Sequence, residues 1–208
     1  MADDKGIARL AGKIAACRLC RDAPERTPGL PHEPRPVAVL SETARILVAG
    51  QAPGIRVHDS GIPFNDPSGD RLRQWMGIGR DVFYDASRIA ILPMGFCFPG
   101  YDAKGGDLPP RRECAPQWRT RCLDLMPQID LVLCIGQYAH AWHLGDLRHK
   151  TLTDTVAAWR DILALETSPK VIALPHPSWR NSGWLKRNPW FEAELVPWLQ
   201  ATVSEMVV

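Results

Sequence analysis

Apolar residues along the chain fall into two kinds of run. From residue 7 to residue 16, Ile7, Leu10, Ala11 and Ile14 recur at the spacing of one helical face. Four other stretches, ARILVAG, RIAILPMGF, DLVLCIG and KVIALPHPS, are short, continuously apolar and rich in branched side chains, without the alternation of a half-exposed strand. They predict strands buried on both faces. Between and after them, RRECAPQWRTRCLDLM and QYAHAWHL read as helices, and NPWFEAELVPWLQATV closes the chain as a helix that Pro197 should kink. After the first strand the chain reads as loop from Gly50 to Pro67, where Ser68 is the expected cap of a helix with Leu72, Trp75 and Met76 on one face.

Strands that alternate with helices predict an α/β fold, a three-layer α/β/α arrangement around a central, mostly parallel four-stranded sheet. The 208 residues suit a single domain, with residues 1–36 forming a helix and an exposed connector rich in Pro, Arg and Glu. Ligands of such sheets bind beyond the carboxyl ends of the strands. Two loops there stand out, GQAPG…PFNDPSG after the first strand and HPSWRNSGWLKRN after the last.

Composition narrows the partners. The chain is 45% apolar and 23% charged, with a net charge of +2, so a nucleic-acid partner must be met by a local basic surface. No run approaches the ~18 apolar residues of a membrane span, and MADDKGIARLAGKIAACRLC lacks the apolar core of a signal peptide. A cytoplasmic protein without membrane contact is expected, and in that reducing compartment the six cysteines should not form a disulfide framework. Each is then a metal ligand, a nucleophile or a small core residue.

Cys17 and Cys20 form a C-x2-C pair, and Cys97 and Cys114 bracket a loop rich in Pro and Gly. Two such pairs can bind zinc or an iron–sulfur cluster, and spacing does not choose between them. Cys122 and Cys134 sit within helix and strand patterns and read as core. In the first loop, Gly50, Pro53 and Gly54 surround Gln51 and Ala52, and the glycines let the backbone approach a ligand closely. Phe64 offers a face for a planar ligand. His176 follows a buried strand, where a neutral imidazole can donate to a developing anion, and nearby Ser178 can bind phosphate. Beyond it Trp179, Trp184 and Leu185 interleave with Arg180, Lys186 and Arg187, the mixture that phosphates and unstacked bases require.

Taken in order, these motifs resemble the uracil-DNA glycosylase superfamily, closest to its bacterial iron–sulfur type: C-x2-C, GQAPG, GIPF, SGDRL, a spaced cysteine pair and HPS. The resemblance runs from Cys17 to the closing helix. It implies a DNA repair enzyme, a monomer, that hydrolyses the N-glycosidic bond of uracil or another deaminated base flipped out of single- or double-stranded DNA. It further implies a structural [4Fe-4S] cluster on Cys17, Cys20, Cys97 and Cys114, with zinc as the alternative. Phe64 would stack on the base, Gly50, Ala52 and Pro53 would line the pocket, and His176 would stabilise the departing base anion. Leu185 or a neighbouring tryptophan would fill the gap in the duplex.

The sequence also departs from that family. Gln51 stands where related loops carry a carboxylate, which leaves Gln51 to hold a water and His58 or Asp59 to polarise it. Pro93 or Met94 stands where the family's base-reading Asn is expected. Two other readings therefore stay open: a superfamily member that binds damaged or abasic DNA with little catalysis, and a metal-stabilised nucleotide-binding protein whose tryptophans are all core.

Overall fold

The computed structural model describes residues 4–25 and 28–207; Arg26 and Thr27 of the connector lie outside the described residues. The four apolar runs form the strands β1 (Ile46–Ala49), β2 (Ile89–Ile91), β3 (Leu131–Ile135) and β4 (Lys170–Leu174) of one sheet in the order β2-β1-β3-β4. All three pairings are parallel, with Ile46 opposite both Ile89 and Leu131 and with Leu131 opposite Lys170. The sheet is therefore wholly parallel, beyond the mostly parallel expectation. Apart from Lys170, every strand residue is buried, as continuous apolar runs require. The connector continues along the outer edge of β2, where Val39 and Ile91 exchange hydrogen bonds of 2.7 and 2.9 Å. That antiparallel bridge covers an edge otherwise open to pairing.

Helices surround the sheet. The first half of the chain supplies α1 (Asp4–Ala15), α2 (Leu19–Asp22), α3 (Ile55–Ser60), α4 (Pro67–Met76) and α5 (Arg80–Phe83). The second half supplies α6 (Cys114–Asp124), α7 (Gln137–Leu144), α8 (Leu152–Ala157), α9 (Trp159–Leu163), α10 (Ser182–Arg187) and α11 (Val196–Met206). Helix α7 packs on β3 and β4, α9 on β4, α4 on α11 and α1 on α6. Leu72, Trp75 and Met76 form the buried face of α4 as their spacing predicts, and Trp75 meets Phe191 edge-to-face at 4.9 Å.

Three local expectations change. The N-cap of α4 is Asp66, not Ser68: its Oδ1 accepts the Gly69 N–H at 2.9 Å, and Pro67 fills the first helical position, where no donor is needed. The stretch Gly50–Pro67 is not all loop, because α3 forms between an extended Gly54 and a left-handed Gly61. The closing helix is not one regular α-helix. Phe191–Leu195 forms a wide π-helical turn, and the α-helix restarts at Val196 with Pro197 in its first turn, where its missing N–H leaves no bond unmade.

One buried cation ties the core to the carboxyl edge of the sheet. Arg119, on α6, is fully enclosed and donates to the carbonyls of Leu92 at 2.8 Å and Pro93 at 3.1 Å, which pins the chain as it leaves β2.

Candidate base-binding site and cysteine centre

The loops after β1 and β4 meet at the carboxyl edge and enclose a cavity of about 570 Å³, a size typical of small-molecule pockets. Gly50, Gln51, Ala52, Pro53, Phe64, His176 and Ser178 all line it, so the expected pocket residues are brought together. Gly50 lets the ring of Phe64 lie close against the loop, its Cζ only 3.2 Å from where a Cβ would be. Its carbonyl accepts the Met94 N–H at 2.9 Å and that of Gln51 accepts the Gly95 N–H at 2.8 Å, which fastens the first loop to the chain after β2. Gln51 packs on Gly136, where a Cβ would come within 2.8 Å of its Cδ.

Phe64 stands in the left-handed region with φ 54°, costly for a side chain of that size. Three contacts hold it there. Its carbonyl accepts from Tyr84 Oη at 3.2 Å and from Arg73 Nη1 at 3.3 Å, and Gly69 lets the first turn of α4 close directly on its backbone. Arg73 is buried, paired with Asp70, and lies 5.3 Å from the centre of the Phe83 ring.

His176 is kept neutral by burial, which pushes its pKa below the usual 6.5 against the opposing pull of Asp66. Its carbonyl accepts from Asn181 Nδ2 at 2.7 Å, and Arg71 of α4 donates to the Ser178 carbonyl at 3.0 Å. The second loop is thereby locked to the helix that follows the first, and a neutral imidazole with a free N–H is what an emerging anion needs.

His58 and Asp59 do not join the cavity. Arg35 of the connector donates to both of their carbonyls, at 2.8 and 2.6 Å, and the His58 ring turns to His32, centroids 4.4 Å apart. Neither residue is among those that line the cavity, so the water site expected from them is not assembled there. The carboxylates that do line it are Asp66 and Asp107. Asp66 had a readable signal, an Asp-Pro pair at a helix start; Asp107 lies in a Gly- and Pro-rich loop with no motif. Protein packed on one side of the Asp107 carboxyl raises its pKa above the usual 3.8, Arg180 opposes that shift and Asp66 adds to it.

The mouth of the cavity is basic and aromatic. Trp179 is 76% exposed, the Arg180 guanidinium lies 5.9 Å from its ring centre, and Arg56 opens onto the same cavity. Lys186 and Arg187 are exposed on α10. Leu185 is not available to a duplex: it is only 8% exposed and belongs to the core, because the apolar face of α10 packs inward. Trp184 is buried too, its Nε1–H donating to Thr153 Oγ1 at 2.9 Å. Trp179 is the apolar side chain left at the mouth.

The four expected cysteine ligands also converge. Cys17, Cys20, Cys97 and Cys114 line one small apolar cavity with Phe96 and Trp118. Burial pushes the thiol of Cys20 up to about 11 and that of Cys97 up to about 12, and Cys17 and Cys20 add to the shift at Cys97. The Phe96 N–H lies 3.3 Å from the Cys114 Sγ and the Trp118 indole N–H 3.4 Å from the Cys17 Sγ. Among the described residues, no three His, Cys, Asp or Glu side chains come together closely enough to hold one metal ion. Cys122 and Cys134 are buried in the main core, as expected.

Residues 37–200 match the family model described as the uracil DNA glycosylase superfamily. Among solved structures, the chain is similar to the crystal structure of wild-type Pedobacter heparinus SMUG2, at 15% identity over 95% of each chain and a TM-score of 0.37.

Proposed function

The chain belongs to the uracil DNA glycosylase superfamily, and from that premise we propose that it hydrolyses the N-glycosidic bond of uracil or another deaminated base flipped out of DNA. The observation that carries this reading is the cavity itself, which combines a stacking ring, a neutral histidine and an exposed Trp–Arg pair at its mouth. The flipped base lies on Phe64 between the two loops, and His176 donates to a base carbonyl as the bond to C1′ breaks and its electron pair passes to the base. Asp66 and Asp107 oppose the positive charge that builds on the sugar. Trp179 replaces the extruded base in the stack, while Arg180, Lys186 and Arg187 meet the phosphates. The exposure of Trp179 beside the cavity favours this over a nucleotide-binding protein with a wholly buried tryptophan set.

The donor set at the cysteine centre fits the iron–sulfur alternative. Four thiols on one small apolar cavity are a donor set that a zinc ion or a cluster takes. A [4Fe-4S] cluster distributes its four thiolates over different irons and accepts N–H donors at sulfur. Cys17, Cys20, Cys97 and Cys114 would hold it, and its contribution is structural, clamping the N-terminal segment to the loop that ends at Cys114. No helix among the described residues is long and apolar enough to cross a membrane.

Purified protein should be incubated with single- and double-stranded oligonucleotides bearing uracil, hypoxanthine or xanthine, then treated with alkali. Strand cleavage at one or more of these bases is the expected result. Retained binding with no cleavage at any of them would replace the enzyme with a damage-binding protein. The protein should also be brown, with absorbance at ~400 nm and iron and sulfide in stoichiometric amounts; a colourless protein carrying zinc would overturn the cluster.

A further inference from the structure

We propose that Asp107 is the general base of this site, the group that takes the proton from the water attacking C1′. The assignment rests on the glycosylase reading above. A water nucleophile needs a nearby proton acceptor. In the loop after β1, Gln51 and Ala52 line the cavity without a carboxylate, His58 and Asp59 are turned away by Arg35, and Asp66, which does line the cavity, is engaged as the cap of α4. The missing carboxylate arrives from a different loop.

Residues 101–107 form a tight hairpin between the two later cysteines. Tyr101 bridges Asp107, the Asp102 side chain accepts the Lys104 and Gly106 N–H groups at 2.8 and 2.9 Å, and Leu108 N–H returns to the Gly100 carbonyl at 2.9 Å. This scaffold carries Asp107 over the end of the GQAPG loop, where its Oδ2 would be 3.5 Å from a Cβ on Gly54. The carboxylate thus lies in contact range of that loop while lining the cavity.

Depth separates the roles of the two carboxylates. Asp66 already uses Oδ1 to cap α4, and it sits close enough to His176 to influence its protonation. It is therefore a fixed negative charge, held by the helix it caps and set against the positive charge that builds on the sugar. Asp107 is exposed as a residue and stands at the mouth, and among the described residues its carboxylate makes no ion pair and no hydrogen bond that would occupy it. A base that enters the cavity leaves its sugar at the mouth, so the attacked carbon lies at the level of Asp107. The raised proton affinity of this carboxyl suits a base, and bound DNA, by excluding water, raises it further.

The step balances without another reagent. The water oxygen bonds to C1′ as the C1′–N bond breaks, the electron pair of that bond leaves with the base, and one water proton moves to Asp107. That proton later passes to solvent or to the released base. The charged or titratable groups facing Asp107 are Arg180, Asp66 at the head of α4, Arg56 of α3 and, deeper in the cavity, His176.

The test is single-turnover excision by the full-length protein on whichever oligonucleotide it cleaves, as a function of pH. Wild-type activity should fall on the acid side with a midpoint above the ordinary aspartate value, since the base must be ionised. Asp107→Asn should be slower by about 100-fold, lose that acid limb, and bind a 2′-fluoro substrate analogue with unchanged affinity. Asp107→Glu should keep far more activity than Asp107→Asn. The assignment is overturned if Asp107→Asn keeps its rate or its acid limb, or if the two variants lose rate equally with binding intact, which would make Asp107 a positioning residue. Absence of excision by the wild type would instead remove the proposed function, and the assignment with it.

Discussion

Replacing His176 with alanine is expected to slow single-turnover excision by about 100- to 1,000-fold while leaving the affinity for uncleavable DNA unchanged. The imidazole is held by the Asn181 contact to its carbonyl and by the Arg71 contact two residues on, both outside its ring. Removing the ring therefore leaves the loop in place and takes away only the donor that the departing base needs. The pH behaviour carries the same signature. Because the folded pKa lies below the usual 6.5, the unfolded chain binds the extra proton first as pH falls. His176 thus contributes stability above the ordinary histidine range that is lost as pH drops toward its depressed value. His176→Ala should show a shallower loss of melting temperature on acidification, and in the wild type the donor should survive passage through pH 6.5 in its neutral form.

Gly69→Ala should damage both stability and excision. A methyl group there would lie 1.7 Å from the Phe64 carbonyl oxygen and 2.7 Å from its carbonyl carbon. These are backbone atoms, and they cannot rotate aside as the end of a side chain can. Either α4 lifts off or Phe64 leaves the left-handed conformation that presents its ring, and both loosen the contacts to Arg73 and Tyr84. Overpacking of this kind costs about 1–3 kcal/mol, and a shift of several degrees in thermal melting should report it. Excision should fall more than stability alone accounts for, because the stacking surface moves. Gly12→Ala is the matched control: its added methyl meets nothing within 4 Å, and in helix α1 it should be neutral or stabilising.

The sequence made the frame legible because burial leaves a strong local trace. Continuous apolar runs such as ILVA and LVLCI can only be strands enclosed on both faces, and their loops then share an edge. Phe64, His176 and the four cysteines stand out from that placement and from spacing, and the resemblance to the glycosylases implies their roles. What stayed hidden depends on contacts distant in sequence. His58 is near the cavity in sequence, yet Arg35, from a connector with no regular pattern, fixes which way α3 faces. Leu185 and Trp179 are equally plausible wedges on paper, and only the packing of the short helix α10 decides that one is core and the other exposed. Asp107 has no local marker at all, since a hairpin folding over Gly54 is what brings it to the cavity. The cap of α4 falls on Asp66 instead of the expected Ser68 because Pro67 takes the first helical position.

The chain has eight tryptophans, and Trp179 is far more exposed than the others. Its indole emits into water, whereas Trp75, Trp118, Trp159 and Trp184 emit from an apolar interior that DNA does not reach. A base or duplex end pressed against Trp179 should change its emission, while the buried tryptophans remain a constant background. For the proposed glycosylase, the arrival of DNA at the mouth and the breaking of the glycosidic bond behind it should therefore be separately visible in time, one as light and the other as product, in the unlabelled protein.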